Sequence, residues 1–268
     1  MNREPTISVL MGVLYRREST ALLRRSVESI LAQSFTDFEL LICAGGSSDA
    51  ANKLLEDCAA IDKRVRLIPS KNAESLPVKL NACLREARGA FLARMDDDDY
   101  SHPERFEKQL AALARHPDIA FAGCNVNLIC DGMPAGTRCF PEYPQIQDFY
   151  MTQPYIHPSL LFRRGALEEI SGYSEDSRQL LCEDYDLLLR LYAKGYRGMN
   201  LQESLLDYSI RPDGKSGRSM RHRLNETVTR YKRYEELGML PRALPYVVKP
   251  LAVGLIPERL LSFIKDRR

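Results

Sequence analysis

The sequence predicts an α/β fold: a mostly parallel central sheet flanked by helices, followed by a helical, basic C-terminal tail. Short apolar runs alternate with stretches of helical periodicity from Ile7 to Met95, the rhythm of a parallel sheet with helices on both faces. The fourth run opens directly into four consecutive aspartates, at a strand end where such sheets collect ligands. A chain of 268 residues that is 44% hydrophobic and 28% charged has ordinary globular composition, which excludes disordered, collagen-like and disulfide-scaffold classes.

Each element has its own local warrant. Ile7–Leu14 is a continuous apolar run, the pattern of a strand buried on both faces. Ser19 or Thr20 caps a helix in which Leu23, Val27, Ile30 and Leu31 recur at helical spacing. Phe38–Ala44 is the second strand, Gly45–Asp49 a turn, and Asp49 the cap of a helix through Leu54, Leu55 and Cys58. Val65–Pro69 is the third strand. Leu76, Leu80 and Leu84 mark a helix ended by Gly89, and Ala90–Met95 is the fourth strand.

The second half departs from this alternation. Pro103–His116 is a helix with proline in its first turn. Ile119–Cys130 leads through Asp131-Gly132 into a hairpin. Ile156–Phe162, Ala166–Ser171, Glu183–Lys194 and Leu205–Ile210 read as strand, helix, helix and strand. The expected division is an α/β domain over 1–215 and a helical, basic and apolar extension over 216–268.

Charge is distributed unevenly. Through Ile210 the chain carries 24 Lys+Arg against 30 Asp+Glu, and beyond it 14 against 6. An acidic body without a basic aromatic stripe argues against a nucleic-acid partner. The tail intersperses Tyr246–Val248, Leu251–Ile256 and Leu260–Ile264 with Arg242, Lys249, Arg259, Lys265, Arg267 and Arg268, and Pro245, Pro250 and Pro257 divide it into short pieces. It reads either as a segment attracted to an anionic membrane surface or as one that packs on the body or pairs with a second copy. Seven dispersed cysteines without a Cys-x-x-Cys pair suggest reduced thiols. With the first apolar run too short for a secretory leader, the expectation is a cytoplasmic protein, associated at most with the inner face of the membrane.

Two clusters carry candidate chemistry. Asp96–Asp99 repel one another unless a cation compensates, and hard divalent ions such as Mg²⁺ or Mn²⁺ take oxygen ligands of this kind. A solvated acidic turn is the alternative. In Glu183–Leu191, Asp184 shares a helix face with Leu187, Leu188 and Leu191, whereas Asp186 pairs outward with Arg190 at i+4. A carboxylate at the first turn is either a cap or a general base at a cleft edge.

Taken in order, these segments resemble glycosyltransferase family 2, inverting, nucleotide-sugar-dependent enzymes of the GT-A fold with a Rossmann-like sheet. The matching stretches are Ser8–Met11, Ser26–Phe35, Asp37–Ile42, Ala93–Asp99 with His102–Arg105, His157–Ser159 and Glu183–Leu187, spanning roughly residues 6–215. The resemblance implies that Asp96 and Asp97 contact the donor nucleotide, that Asp98 and Asp99 hold a divalent metal, and that Asp184 is the base. Gly12 falls on the donor side. His157 and Glu183 fall on the acceptor side, although a histidine held before Pro158 also suits a purely structural role. The implied partners are a nucleotide-sugar, with UDP-sugars foremost, and a glycan or lipid-linked acceptor, in bacterial surface polysaccharide biosynthesis.

Two segments depart from the family pattern. Ala44-Gly45 stands where a pair of aspartates usually ends the second strand, so a base-specific carboxylate is missing. Arg211 stands where a late histidine is common, and with Lys215 it is suited to clamp a diphosphate or to form a solvated basic loop. The rival readings are a GT-A homologue that has lost donor binding and a nucleotidyltransferase. The second needs a glycine-rich basic loop after the first strand, and Gly12–Arg17 is a poor match.

Overall fold

A computed structural model describes residues 4–13, 20–45, 49–70, 75–176, 181–210 and 219–255. The first half follows the expected alternation: β1 (Ile7–Gly12), α1 (Thr20–Leu31), β2 (Phe38–Cys43), α2 (Asp49–Ile61), β3 (Val65–Ile68), α3 (Leu76–Glu86) and β4 (Phe91–Met95). Every residue of β1 and β2 is buried, because both sheet faces are covered, which is why these strands read as continuous apolar runs. α3 stops at Glu86, before Gly89. That glycine has a different reason to be there: a Cβ on it would meet Ser8 N at 2.5 Å, so only glycine admits the close passage of the chain against β1.

The second half comprises β5 (Tyr100–Ser101), α4 (Arg105–Arg115), β6 (Phe121–Cys130), β7 (Met133–Arg138), β8 (Leu161–Arg163), α5 (Arg164–Glu169), α6 (Glu183–Ala193) and β9 (Gly198–Ile210). The expected strand over Ile156–Phe162 is instead a 3-10 turn at His157–Ser159 followed by short β8. Pro158 has no N–H to give to a ladder, so strand pairing begins only after it. β9 starts at Gly198, well before Leu205, and its pairing with β6 shifts register around Asn125. That irregularity and the exposed Gln202-Glu203 hide its first half from a periodicity reading.

Among the described residues the strand order is β3-β2-β1-β4-β8-β6-β9-β5, with β7 paired to β6. β1 to β4 run parallel, and β8 is antiparallel to both β4 and β6. Helices divide between the two faces. α1, α2 and α4 bury Leu23, Leu54 and Phe106 against one side, whereas α3, α5 and α6 bury Leu80, Leu167 and Leu188 against the other.

The C-terminal residues form α7 (Met220–Glu236) and α8 (Leu244–Leu255). Tyr234 and Val247 join the same core as α6, and Tyr150 stacks on Tyr246 with ring centroids 4.4 Å apart. Pro250 lies within α8 and does not divide it. Among the described residues no helix is long and apolar enough to cross a membrane. All seven cysteines are free thiols.

Candidate active site

The end of β4 sets the position of the acidic cluster. As the chain leaves the sheet after Met95, Ser26 of α1 donates its hydroxyl to Asp96 O at 2.6 Å. On the other side, Ser209 of β9 donates its hydroxyl to Asp98 O at 2.5 Å and its backbone N–H to Asp99 Oδ1 at 2.8 Å. The turn is thus held from both flanks, and carboxylate oxygens of Asp96, Asp98 and Asp99 come within 4.8 Å of one another. Asp97 is buried and stands outside this trio.

Beneath the cluster lies Arg94, 1% exposed, whose guanidinium donates to Asp96 Oδ1 and to Met95 O. A second buried guanidinium, Arg105, lies behind it and donates to Arg94 O at 2.7 Å. Burial, with the charges of Asp96 and Asp98, pushes the Asp99 carboxyl well above its ordinary range, and its Oδ2 is buried without a hydrogen-bond partner. A converging all-oxygen donor set with an orphaned carboxylate oxygen fits a hard divalent cation such as Mg²⁺ or Mn²⁺.

Next to the cluster is a cavity of about 350 Å³ whose wall contains Asp96, His157, Glu183, Asp184 and Tyr208. Asp184, in the first turn of α6, accepts from Gln153 Nε2 at 3.1 Å through Oδ2 and from the Tyr185 N–H at 2.8 Å through Oδ1. Glu183 is 9% exposed, and its Oε2 has no hydrogen-bond partner. Burial first, and then the charge of Asp184, pushes its carboxyl up to about 7. His157 is buried with Nε2 2.8 Å from the Tyr173 hydroxyl. Burial and the nearby Arg94 hold its pKa well below the usual range, so the ring is neutral.

The structure therefore brings Asp96, Asp98 and Asp99 together, and Asp96, His157, Glu183 and Asp184 onto one cavity. Gly12 ends β1 against Leu76 of the cavity wall: a Cβ on it would meet Leu76 Cδ1 at 2.7 Å and Lys79 Cβ at 3.3 Å, so its small size lets α3 pack closely. Arg211 and Lys215 lie outside the described residues. Asp186, expected to face outward, is fully buried: Arg190 and Arg233 both bind it, at 2.8 and 2.7 Å.

Sequence reading missed several participants. Arg138 of β7, Gln153, and His222, Glu226 and Arg230 of α7 all line the cavity. The three α7 residues recur every four positions, a regularity visible in the sequence but indistinguishable there from a solvated charged face. Ser26 and Ser209 act partly through backbone acceptors, which leave no sequence signature.

Comparison with known proteins gives a consistent picture. The family model described as Glycosyl transferase family 2 matches residues 12–171. The putative glycosyltransferase EpsE of Bacillus subtilis is 33% identical, covering 100% of this chain and 96% of its own length. The O-antigen biosynthesis glycosyltransferase WbnJ of Escherichia coli is 32% identical over 76% of this chain and 79% of its own. The amylovoran biosynthesis glycosyltransferase AmsE of Erwinia amylovora is 26% identical over 97% and 99%. In structure, S. aureus TarS 1-349 in complex with UDP-GlcNAc matches with a TM-score of 0.69 at 15% identity, over 91% of this chain and 73% of that one. The mannosyltransferase PcManGT from Pyrobaculum calidifontis, in complex with GDP-Man and Mn²⁺, matches with a TM-score of 0.66 at 17% identity, over 99% and 81%. At these identities the structural likeness is one of fold.

Proposed function

The chain belongs to glycosyl transferase family 2, and from that premise we propose that it transfers a sugar, with inversion, from a nucleotide-sugar to a hydroxyl of a glycan or lipid-linked acceptor. Membership makes it a transferase, with relatives in polysaccharide biosynthesis. The observation that carries the finer reading is the adjacency of two acidic groups, the Asp96–Asp98–Asp99 trio and Glu183-Asp184, with Asp96 common to the trio and to the cavity.

In this reading Asp184 is the base. Its Oδ2, already an acceptor of the Gln153 amide, takes the proton of the acceptor hydroxyl. The oxygen then forms its bond to the anomeric carbon from the face opposite the nucleotide. The carbon–oxygen bond to the diphosphate breaks, and its electron pair leaves with the nucleotide. General-base assistance of this kind is worth about 10²–10⁴-fold.

Asp96, Asp98 and Asp99 are the residues that would hold the divalent metal, with Asp96 and Asp97 also on the donor side. A bound Mg²⁺ or Mn²⁺ supplies charge stabilisation for the departing diphosphate. Neutral His157, fixed by Tyr173, and Glu183 shape the acceptor side. A UDP-sugar is the first donor to test, because one fold neighbour was solved with UDP-GlcNAc. GDP-sugars follow, given the GDP-Man in the other and the absence of a base-reading carboxylate at Ala44-Gly45.

Calorimetric titration with UDP-, GDP-, TDP- and CMP-sugars, each with and without Mn²⁺, tests the reading. Metal-dependent binding of one donor class is expected. Folded protein that binds none of them would instead support a homologue that has lost donor binding.

A further inference from the structure

α7 has two working faces. Its inner face carries His222, Glu226 and Arg230 in the cavity wall. Its outer face carries Met220, Leu224, Val228 and Tyr231, again at helical spacing and each between 42% and 51% exposed. α8 continues the pattern with Leu244, Val248 and Leu255 exposed at 44%, 49% and 77%. Arg223, near the N-terminus of α7, donates to Pro250 O of α8 at 3.3 Å, and Met220 and Arg223 meet Gly254. The two helices therefore pair as an antiparallel hairpin that presents apolar side chains to solvent.

We infer that this hairpin docks on an anionic phospholipid surface. Exposed Arg221, Lys232 and Arg242 flank the apolar side chains, with exposed Glu235 and Glu236 confined to the last turn of α7, and α8 contains no acidic residue. The charge excess beyond Ile210, 14 basic against 6 acidic residues, has the sign that attracts anionic headgroups. The same net charge opposes the other simple occupant, a second copy of this chain, because a twofold interface would bring together two segments that each carry a positive excess. Residues 256–268, outside the described part, repeat the composition with Leu260, Leu261, Phe263 and Ile264 among Arg259, Lys265, Arg267 and Arg268. The inference deepens the transferase reading and rests on it in one respect: a lipid-linked acceptor would meet the cavity at the helix that touches the membrane.

The test uses the full chain, co-sedimented with phosphatidylcholine vesicles and with vesicles that also contain phosphatidylglycerol. Binding is expected only to the latter, weakened by added salt. The double variant Leu224→Asp, Val228→Asp, at exposed positions away from the cavity wall, should bind these vesicles at least about tenfold more weakly. It should take up nucleotide-sugar like the wild type, so loss of docking is distinguishable from loss of the transferase reading. Absence of phosphatidylglycerol-dependent binding would overturn the inference. Equal binding by the variant, or light scattering that shows a dimer dissolved by the variant in a protein that ignores vesicles, would overturn it as well.

Discussion

Arg233 of α7 donates Nε to Asp186 Oδ1 of α6 at 2.7 Å, and Asp186 is fully buried. Asp186 lies two residues after Asp184, so this pair joins the C-terminal hairpin to the helix that carries the candidate base. Removing one partner of a buried ion pair leaves the other charge uncompensated, at a typical cost of about 3–5 kcal/mol. Arg190 still binds Asp186 at 2.8 Å and offsets part of that. Arg233→Met is therefore expected to lower stability by roughly 2–3 kcal/mol in urea unfolding. A loss below a few tenths would mean that the hairpin is not anchored through this contact.

Asp184→Asn keeps the shape of the side chain and removes its basicity. Transfer should fall by about 10²–10⁴-fold while donor binding is retained. Gln153→Ala should have a smaller effect, because it removes a hydrogen bond that orients Asp184 without removing the base. Single-turnover transfer measured beside calorimetric donor binding separates the two terms. Wild-type transfer by Asp184→Asn would remove this residue from the mechanism.

The contrast between Asp184 and Asp186 shows where sequence reading stops. Both stand in the first turn of one helix, and local spacing assigned Asp184 to the buried stripe and Asp186 to solvent. Asp184 is half-buried in the cavity wall, whereas Asp186 is fully buried, because Arg233, far along the chain, supplies a charge that lets it be buried, and no local pattern records such a partner. β1 and β2 are legible because strands buried on both faces read as apolar runs, and the aspartates after β4 because four carboxylates in sequence break off such a pattern abruptly. Apolar content alone extends a strand back to Ile156, whereas Pro158 confines pairing to Leu161–Arg163. The α7 side of the cavity was invisible for a related reason: a charged helix face looks alike whether it meets water or a ligand.

The acidic cluster makes a prediction that needs no acceptor. A ligand that binds only the folded state stabilises it in proportion to the logarithm of its concentration over Kd. Mn²⁺ should therefore raise the melting temperature of the wild type. Asp98→Asn should diminish that rise and weaken Mn²⁺-dependent donor binding. Ser209→Ala, which keeps the backbone N–H to Asp99 and loses the hydroxyl to Asp98 O, should cost about 1 kcal/mol of stability. A melting temperature indifferent to Mn²⁺ in every variant would argue that the trio holds no metal without the nucleotide.

Glu183 makes the fold sensitive to pH in a definite direction. Its carboxyl has an ordinary value of 4.5 and is pushed up to about 7, by burial first and by Asp184 next. Between those values the folded state keeps a proton that the unfolded chain has released. The contribution of this group therefore falls as pH rises from 4.5 to 7 and stays low above it, by up to roughly 3 kcal/mol. Glu183→Gln removes the ionisation at nearly constant volume, so the variant should be more stable than the wild type at about pH 8, with the gap narrowing at about pH 5. Subtracting the two proteins at each pH cancels the titration of other groups that the substitution leaves undisturbed. Neutralising Asp184 as well should shrink the effect, since part of the upward shift is its charge. A stability difference that does not change with pH would mean that Glu183 is ionised in the folded protein at both, with a cation or water compensating the orphaned Oε2.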